Sequence, residues 1–173
     1  MKNVLLTSLL VAGCVLGMVN TCFSQNCISM IRKATIVAAM RDLGYSSPLN
    51  TKAVKDFRKR FAATDDEKWL DYRAGYAAVF TSDDVRFRVE YDNKGNWSGT
   101  EKDYTEIKLD RDIRKIVKQV YFDYNIAYVK EFMVPGMFGV PVYIITIENE
   151  DSFKTLSVCE DEIRVKEDFL KNR

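Results

Sequence analysis

The chain has 173 residues, of which 47% are hydrophobic and 29% are charged. These proportions are typical of a globular protein and exclude a disordered or fibrous chain, and the length fits one domain or two small halves. Residues 1–24 contain Lys2 as their single charge, so the rest of the chain carries 26 − 1 = 25 basic and 25 acidic residues. A net charge near zero provides no field to attract nucleic acid or an anionic membrane, so neither is expected as a partner.

The first 24 residues are typical of a secretory signal peptide. Lys2 supplies a basic start, residues 4–19 are almost wholly apolar, and Ser24 is a small residue just before Gln25. The apolar run is shorter than the roughly 20 residues that a membrane span needs. We therefore expect cleavage after Ser24, no membrane span in the mature chain, and an exported protein in the periplasm or the extracellular space.

A lipoprotein is the alternative for the same segment. The sequence Val-Ala-Gly-Cys at residues 11–14 is similar to a bacterial lipobox, in which Cys14 becomes the lipidated first residue and anchors the protein. The residues that follow Cys14 stay apolar, whereas a mature lipoprotein usually turns polar at this point. This favours the signal peptide but leaves the alternative open.

Two of the four cysteines remain if residues 1–24 are removed, namely Cys27 and Cys159. In an exported protein they could form a disulfide that ties the N-terminus to a late strand. Closing so long a loop stabilises a fold by up to about 4–5 kcal/mol in the chain-entropy model. The other interpretation is a buried Cys159 and a free Cys27, and the sequence leaves both open.

Two helices are predicted before the first strand. Residues 28–43 are apolar on nearly all sides and stop before Gly44, which favours a helix, although residues 34–40 could also pair as a strand. The second helix covers residues 51–62 and has Asn50 as a suitable N-cap. Its apolar residues recur at helical spacing: Val54, Phe57 and Phe61.

Four strands follow in the first half. Short polar turns separate them, which makes consecutive strands antiparallel neighbours in a meander. The clearest strand alternates apolar and charged residues, and the turn after it has Asp92 first and Gly95 last, which fits a type I turn whose glycine takes a positive φ. The predicted strands cover residues 67–72, 76–81, 85–92 and 96–102.

The second half repeats this order of elements. Asp110 caps a predicted helix over residues 111–123, and the predicted strands cover residues 126–133, 142–149, 153–159 and 163–167. Residues 80–89 align with 147–156 at a constant offset of 147 − 80 = 67, with apolar and acidic positions coinciding. We interpret this as a tandem helix-plus-meander duplication, with an N-terminal helical segment at 25–50 and repeats at 51–107 and 108–173. The expected fold is α+β, with a sheet of about eight strands and the helices on one face.

Four stretches carry the clearest motifs. They are Asp-Glu-Lys-Trp at 66–69, Gly-Tyr-Ala-Ala-Val-Phe at 75–80, Tyr-Asp-Asn-Lys-Gly-Asn-Trp at 91–97, and Leu109 before a helix that ends at Tyr121. In these motifs the chain resembles the PepSY-like, beta-lactamase-inhibitor-like proteins exported by Bacteroidetes, over about residues 51–167. The resemblance implies two helix-plus-sheet repeats, as in beta-lactamase inhibitor protein, and a family mostly of unknown function. The chain departs from the family at Phe61-Ala62 and Leu109-Asp110, where proline often takes the second position.

Residue types needed for catalysis are largely missing. The chain has no histidine, which excludes Ser-His-Asp and Cys-His nucleophilic sites and histidine-ligated zinc. No phosphate-binding glycine loop is present, and Lys94 stands where a calcium loop needs an oxygen ligand. We expect no catalytic residue, no metal and no cofactor. Carboxylate pairs suited to glycosidase chemistry occur, but 25 acids bring such pairs together by chance: Asp83/Asp84, Glu90/Asp92 and Asp103/Glu106.

Two surfaces are candidates for binding a partner. The connection 133–141 is unusually apolar and rich in Gly and Pro, so Met137 and Phe138 either form a hydrophobic tip or fold back onto the sheet. The second candidate is the sheet face without helices, provided that aromatic residues lie on it. The aromatic candidates, which are core residues if the helices cover them, are Trp97, Tyr104, Tyr76 and Tyr91.

These features predict an exported, non-enzymatic protein-interaction module, inhibitor-like or an accessory of the cell envelope. Its partner is an unknown envelope or secreted protein. The alternative is a carrier of a small apolar or peptide-like ligand held between helices and sheet, and the third hypothesis is a hydrolase that uses a carboxylate pair. The oligomeric state does not follow from the sequence.

Overall fold

The structure, a computed structural model, describes residues 49–61, 64 and 66–171. The predicted signal peptide with its lipobox at Cys14, the predicted helix at 28–43 and Cys27 lie outside the described residues. The described elements, in chain order, are α1 (Thr51–Arg60), β1 (Lys68–Tyr72), β2 (Gly75–Ser82), β3 (Val85–Asp92), β4 (Trp97–Tyr104), a 3₁₀ turn (Glu106–Lys108), α2 (Arg111–Val120), β5 (Asn125–Met133), β6 (Val142–Glu148), β7 (Ser152–Cys159) and β8 (Glu162–Leu170).

Eight strands form one antiparallel sheet whose spatial order is the chain order, from β1 to β8. Helix α1 precedes β1, α2 connects β4 to β5, and both pack on the same side of the sheet. We name the side that carries the helices the inner face and the opposite side the outer face. The predicted α+β fold, with an eight-stranded sheet and the helices on one face, is confirmed.

Helix α1 is anchored to the inner face by an aromatic cluster. Its N-terminus is capped by Asn50, whose Oδ1 accepts a hydrogen bond from the backbone amide of Lys52 at 2.9 Å. Phe57 is fully buried, and its ring centroid lies 5.4 Å from that of Trp69 and 5.6 Å from that of Phe80. Edge-to-face contacts of this kind add to the free energy of apolar burial, so a short helix is held firmly.

Helix α2 packs on the second half of the sheet through aliphatic side chains. Asp110 Oδ1 accepts hydrogen bonds from the amides of Asp112 and Ile113 at 2.9 and 3.2 Å, and Val117 is fully buried. The helix ends at Val120, so the prediction that it reaches residue 123 is wrong. Tyr121 leaves helical geometry with φ −122° and ψ 58°, although its ring still packs against the core.

The turn between β3 and β4 is built as predicted. Asp92 Oδ1 accepts hydrogen bonds from the amides of Lys94 and Asn96, both at 2.8 Å, and the Gly95 amide donates to the Asp92 carbonyl at 2.9 Å. Gly95 has a φ of 74°, and a Cβ atom there would lie 2.5 Å from Oδ1 of Asn50. Both the backbone conformation and the close approach require glycine, and the contact places the start of α1 beside this turn.

The two halves of the described chain are built alike. The β2–β3 hairpin occupies residues 75–82 and 85–92, and adding 67 gives 142–149 and 152–159, the positions of β6 and β7 to within one residue. The helices, at 51–60 and 111–120, differ by 60. Each half is therefore one helix followed by four antiparallel strands. An ancestral duplication stays a prediction.

Strand β8 is longer than the sequence pattern predicts. It has nine residues, whereas only 163–167 were expected to form a strand. Polar pairs hold its second part to β7: Lys154 Nζ donates to Asp168 at 2.5 Å, and Thr155 Oγ1 donates to Glu167 at 3.1 Å. These pairs produce no apolar alternation, so the end of the strand is not visible in the sequence.

Candidate functional site

The loop between β5 and β6, residues 134–141, carries the predicted hydrophobic tip. Gly136 and Gly139 have φ values of 88° and 83°, conformations that favour glycine. The amide of Val140 donates a hydrogen bond to the carbonyl of Met137 at 2.8 Å, which closes a turn at the tip. The backbone of this β5–β6 loop is therefore shaped by specific turn chemistry.

Met137 and Phe138 are neighbours in sequence but have opposite environments. Met137 packs against Val142 and Cys159, in a small cluster separate from the inner-face cores. The side chain of Phe138 is 96% exposed. The methionine thus holds the loop against the sheet, and the phenylalanine alone forms the tip.

The backbone of Phe138 has an unusual conformation. Its φ of 49° lies in the left-handed region, which costs an L-residue about 1–2 kcal/mol. A ring that is almost fully exposed recovers little of this through packing. Backbone strain is concentrated at functional positions, so an exposed aromatic residue that carries it is a candidate for binding a partner.

Trp97 and Tyr104, the other two predicted binding residues, lie on the inner face beneath the helices. The guanidinium of Arg60 lies 4.7 Å from the Trp97 ring centroid, and Trp97 Nε1 donates to Thr100 Oγ1 at 3.0 Å. Tyr104 is buried, and its hydroxyl donates to Glu131 at 2.6 Å. Burial, and then the Glu131 carboxylate, raise the pKa of Tyr104 well above its usual range. These two residues contribute to the fold.

The remaining aromatic candidates are also core residues. Tyr76 and Tyr91 are both buried in the cluster beneath α1. The Tyr91 hydroxyl donates to Asp56 of α1 at 3.2 Å, and burial followed by the Asp56 charge raises the pKa of Tyr91. Helix α1 therefore covers the aromatic row of the first half.

The centre of the outer face carries paired charges. Arg88 Nε donates to Glu90 at 2.8 Å, and Lys130 Nζ donates to Glu101 at 2.5 Å and to Asp103 at 3.0 Å. Burial alone would lower the pKa of Lys130, but its hydrogen bonds and the charges of the two carboxylates together raise it. The aromatic residues that the sequence suggested for a sheet face without helices do not lie on the outer face; among the described residues, the aromatic side chains exposed there are Tyr128, Phe153 and Phe169.

Several outer-face side chains are nevertheless buried. In an antiparallel sheet, a face open to water is usually polar and leaves its side chains partly exposed. The helices α1 and α2 lie on the opposite face and do not cover this one. The buried outer-face residues are Tyr72, Ala77, Arg88, Glu101, Val142, Ser157 and Cys159.

The members of the carboxylate pairs lie in turns or contact basic side chains. Asp83 and Asp84 form the turn between β2 and β3 with φ values of 51° and 60°, and Lys108 Nζ lies 2.7 Å from Asp83. Glu106 lies 3.5 Å from Arg114 Nε. The other three members hold the contacts already described: Glu90, Asp92 and Asp103.

An open cavity of about 600 Å³ lies at the end of the sheet opposite the β5–β6 loop. Lys171 Nζ, on its wall, lies 2.9 Å from Glu148 and donates to the carbonyl of Asn149 at 2.8 Å. The lining is charged and polar, unlike the mostly apolar lining of small-molecule sites. The lining residues are Asp123, Asn125, Glu148, Asn149, Glu150, Asp151 and Lys171.

Cys159 is disulfide-bonded. It is the single cysteine within 49–61, 64 and 66–171, so its partner lies outside the described residues. Pairing with Cys27 stays a prediction.

No group of three or more Cys, Asp or Glu residues in the described part of the chain is arranged to hold a metal ion. Nor is any helix there long and apolar enough to cross a membrane.

Solved structures with the same fold come from Bacteroides. A BLIP-like protein (similar to beta-lactamase inhibitor protein) from Bacteroides fragilis NCTC 9343 is 19% identical, with 73% of this chain and 89% of that chain covered and a TM-score of 0.58. A DUF2874 family protein from Bacteroides ovatus ATCC 8483 is 15% identical, with 69% and 89% covered and a TM-score of 0.56. A Bacteroides eggerthii DSM 20697 protein, provisionally classed as periplasmic, is 13% identical, with 72% and 90% covered and a TM-score of 0.55.

These likenesses define the class of the fold, a BLIP-like α+β arrangement of an open eight-stranded sheet with two helices. At identities of 19% or less they concern the fold alone. No family model matches the sequence, and no curated protein matches it significantly. The beta-lactamase-inhibitor-like fold is thus confirmed, and the PepSY-like relationship stays a prediction.

Proposed function

We propose that this chain is an exported, non-enzymatic protein-interaction module that binds its partner through the β5–β6 loop. Phe138 carries the proposal, because its ring is 96% exposed on a backbone held in the left-handed region. Aromatic residues are enriched in protein interfaces, and a few anchor residues carry most of the binding energy. The partner is an envelope or secreted protein with an apolar pocket that accepts a phenyl ring.

The loop is suited to this role because it is preorganised. Met137 is packed against Val142 and Cys159, and the Val140 amide closes the turn. Little conformational entropy remains to be lost when the tip binds, which favours affinity. Both an inhibitor-like role, in which the tip fills a groove of the partner, and an envelope accessory role fit this geometry.

Export is supported by the signal-peptide pattern of residues 1–24 and by the disulfide at Cys159, since disulfides persist in oxidising compartments. The mass of the mature protein distinguishes the two export routes. A chain beginning at Gln25 agrees with signal-peptide cleavage, and a lipidated chain beginning at Cys14 would establish the lipoprotein instead.

The alternative function, a carrier of a small apolar or peptide-like ligand, is less well supported. Between the helices and the sheet, Phe57 and Val117 are fully buried against their neighbours. The cavity at the far end of the sheet is open and polar, which does not suit an apolar ligand.

The test compares Phe138→Asp with Phe122→Asp. Phe122 is 83% exposed and lies at the opposite end of the sheet, so its variant is a control for adding the same charge in place of an exposed ring. Tagged wild type and both variants are used as bait for envelope proteins, which are quantified by mass spectrometry. Proteins enriched by wild type and by Phe122→Asp should be lost with Phe138→Asp, and equal recovery by all three would exclude the loop as the site.

Phe138→Gly separates binding from folding. Glycine removes the left-handed strain but adds flexibility to the unfolded chain, so the free energy of unfolding should be unchanged or higher by up to about 1 kcal/mol. Partner recovery should fall with the loss of the ring. Urea unfolding measures the first effect, and a clear loss of stability would show that the ring is structural.

A further inference from the structure

We propose that residues 28–43, the predicted N-terminal helix, lie across the outer face and that a disulfide between Cys27 and Cys159 holds them there. The occupant of the outer face is then a segment of the same chain. This proposal does not depend on the function assigned to the β5–β6 loop.

Burial on the outer face is the first observation. Arg88 on β3 is 8% exposed, Val142 on β6 is 2% exposed and Ser157 on β7 is 5% exposed. These residues extend across five adjacent strands, while α1 and α2 lie on the other side of the sheet. Met137 covers part of Val142, but neither described helix lies over Arg88 or Ser157, and we attribute their cover to chain outside 49–61, 64 and 66–171.

The disulfide identifies which part of the chain this is. Cys159 ends β7 and belongs to the outer-face cluster with Val142. The other three cysteines, Cys14, Cys22 and Cys27, all precede α1. Whichever of them is the partner, chain preceding α1 is covalently held beside β7, and cleavage after Ser24 leaves Cys27.

The length of residues 28–49 fits the distance between Cys159 and the start of α1. The start of α1 lies beside the β3–β4 turn, where Asn50 Nδ2 donates to the Asn93 carbonyl at 3.4 Å, and Cys159 lies at the same end of the sheet on β7. The strands β3 and β7 are four positions apart, or about 19 Å at a strand spacing of about 4.8 Å. A helix over residues 28–43 would be about 24 Å long. Residues 44–49, when extended, reach about 20 Å, enough to pass round the end of the sheet to α1.

The chemistry of the two surfaces is compatible. The buried charges of the outer face are already paired, Arg88 with Glu90 and Glu101 with Lys130, so covering them isolates neither in a medium of low dielectric constant. The cluster of Met137 with Val142 and Cys159 offers an apolar contact next to the disulfide. The segment supplies apolar side chains along its length: Ile28, Ile31, Ile36, Val37, Met40 and Leu43.

Cross-linking of the oxidised wild-type protein tests the placement. An amine-reactive cross-linker should join Lys33, in the segment, to Lys130 or Lys68 on the outer face and not to Lys115 on α2. Peptides obtained without reductant should contain the Cys27–Cys159 pair. Links from Lys33 to Lys115 alone, or no link to either outer-face lysine, would overturn the proposal, as would a Cys159 paired with a cysteine other than Cys27.

A second experiment replaces residues 28–43, the segment proposed to cover the outer face. In a variant whose residues 28–43 are replaced by a glycine–serine segment of equal length, covalent labelling of Tyr72 and Val142 should rise several-fold, towards that of Leu70, which is 44% exposed on β1. Labelling of Phe57 on the inner face should stay low, which shows that the variant is folded. Unchanged outer-face labelling with Phe57 protected would refute the proposal. If the variant does not fold, the cross-links of the wild type decide the question.

Discussion

Phe57 on α1 and Val117 on α2 occupy corresponding positions, 60 residues apart, and both are fully buried against the inner face. Phe57 is surrounded by rings, with the centroids of Phe61, Trp69 and Phe80 at 5.3, 5.4 and 5.6 Å. Val117 belongs to a cluster dominated by aliphatic side chains of β5, β6 and β7. The same helix-on-sheet geometry is therefore filled in two ways. Strand alternation fixes which face a side chain occupies, whereas its chemical type is free as long as the volume is filled.

The seam between the halves differs from both cores. Where β4 meets β5, Glu131 accepts hydrogen bonds from Lys102 Nζ and from the Tyr104 hydroxyl, both at 2.6 Å, on the inner face. Lys130 binds two carboxylates of β4 on the outer face. The halves are thus joined by charge-assisted contacts, which require specific partners and are stronger than neutral hydrogen bonds.

Phe57→Ala should produce the largest effect. Truncating a buried phenylalanine destabilises a protein by about 3–5 kcal/mol, because apolar burial is lost and a cavity remains. Val117→Ala at the corresponding position should lose about 1.5–3 kcal/mol. Urea unfolding followed by tryptophan fluorescence measures both.

The matched control is Ile107→Ala, since Ile107 is 83% exposed and its truncation should stay within about 0.5 kcal/mol of wild type. Equal losses for Phe57→Ala and Val117→Ala would contradict the view that the aromatic core of the first half is the more sensitive one.

The seam should come second. Glu131→Ala leaves a buried Tyr104 hydroxyl and the Lys102 ammonium without this acceptor and should lower the free energy of unfolding by about 1–3 kcal/mol. Tyr104→Phe removes one donor while Glu131 keeps Lys102, so its loss should be about 0.5–1.5 kcal/mol. Denaturant unfolding of the two single variants and the double variant gives their coupling. A loss for Tyr104→Phe greater than that for Glu131→Ala would contradict this ranking.

Alkaline pH tests the same tyrosine. The pKa of Tyr104 in the folded protein is raised above the ordinary value of 10.0, by burial first and then by Glu131. The un-ionised Tyr104 hydroxyl therefore contributes its full stabilisation below pH 10. This stabilisation is lost as the pH rises, because the tyrosine ionises at a lower pH in the unfolded chain than in the folded protein. Burial also raises the pKa of Tyr143, to about 12. Stability should fall above pH 10, and Tyr104→Phe should fall less steeply; identical slopes would remove Tyr104 as a cause.

The features that the sequence predicted are local. The caps of Asn50 and Asp110 act within three residues, the Asp92 turn within four, and the alternation of 85–92 within one strand. Each is decided by neighbours along the chain, so the pattern contains the information. The number and order of strands follow from them because short turns force sequential antiparallel pairing.

The features that the sequence missed depend on distant partners. Glu131 meets Lys102 and Tyr104 from 29 and 27 residues away, and neither contact has a periodic signature. The sequence therefore suggested Tyr104 as a binding residue, whereas in the structure it is a core residue with a buried hydroxyl. Met137 and Phe138 were equivalent in the sequence, whereas in the structure Met137 is packed and Phe138 has a left-handed backbone and an exposed ring.

The smallest expected effect concerns the two corresponding turns. Asp92 ends β3 and Cys159 ends β7, 67 residues later. Asp92 accepts hydrogen bonds from amides of its own turn, whereas Cys159 forms a disulfide with a cysteine outside the described residues. Asp92→Ala removes the acceptor for the amides of Lys94 and Asn96, so the free energy of unfolding should fall by about 0.5–1.5 kcal/mol. Asp92→Asn should cost less because it keeps Oδ1.

Hydrogen bonds from the Asn96 side chain and then its backbone hold the pKa of Asp92 below 3.8. The stabilisation by the Asp92 carboxylate is therefore present above the pKa that this group has in the unfolded chain. It is lost as the pH falls through the lower pKa that the group has in the folded protein. Urea unfolding at neutral and acidic pH should show the gap between wild type and Asp92→Ala narrowing in acid. A gap that stays constant would show that the carboxylate charge is irrelevant and that the turn depends on its backbone geometry alone.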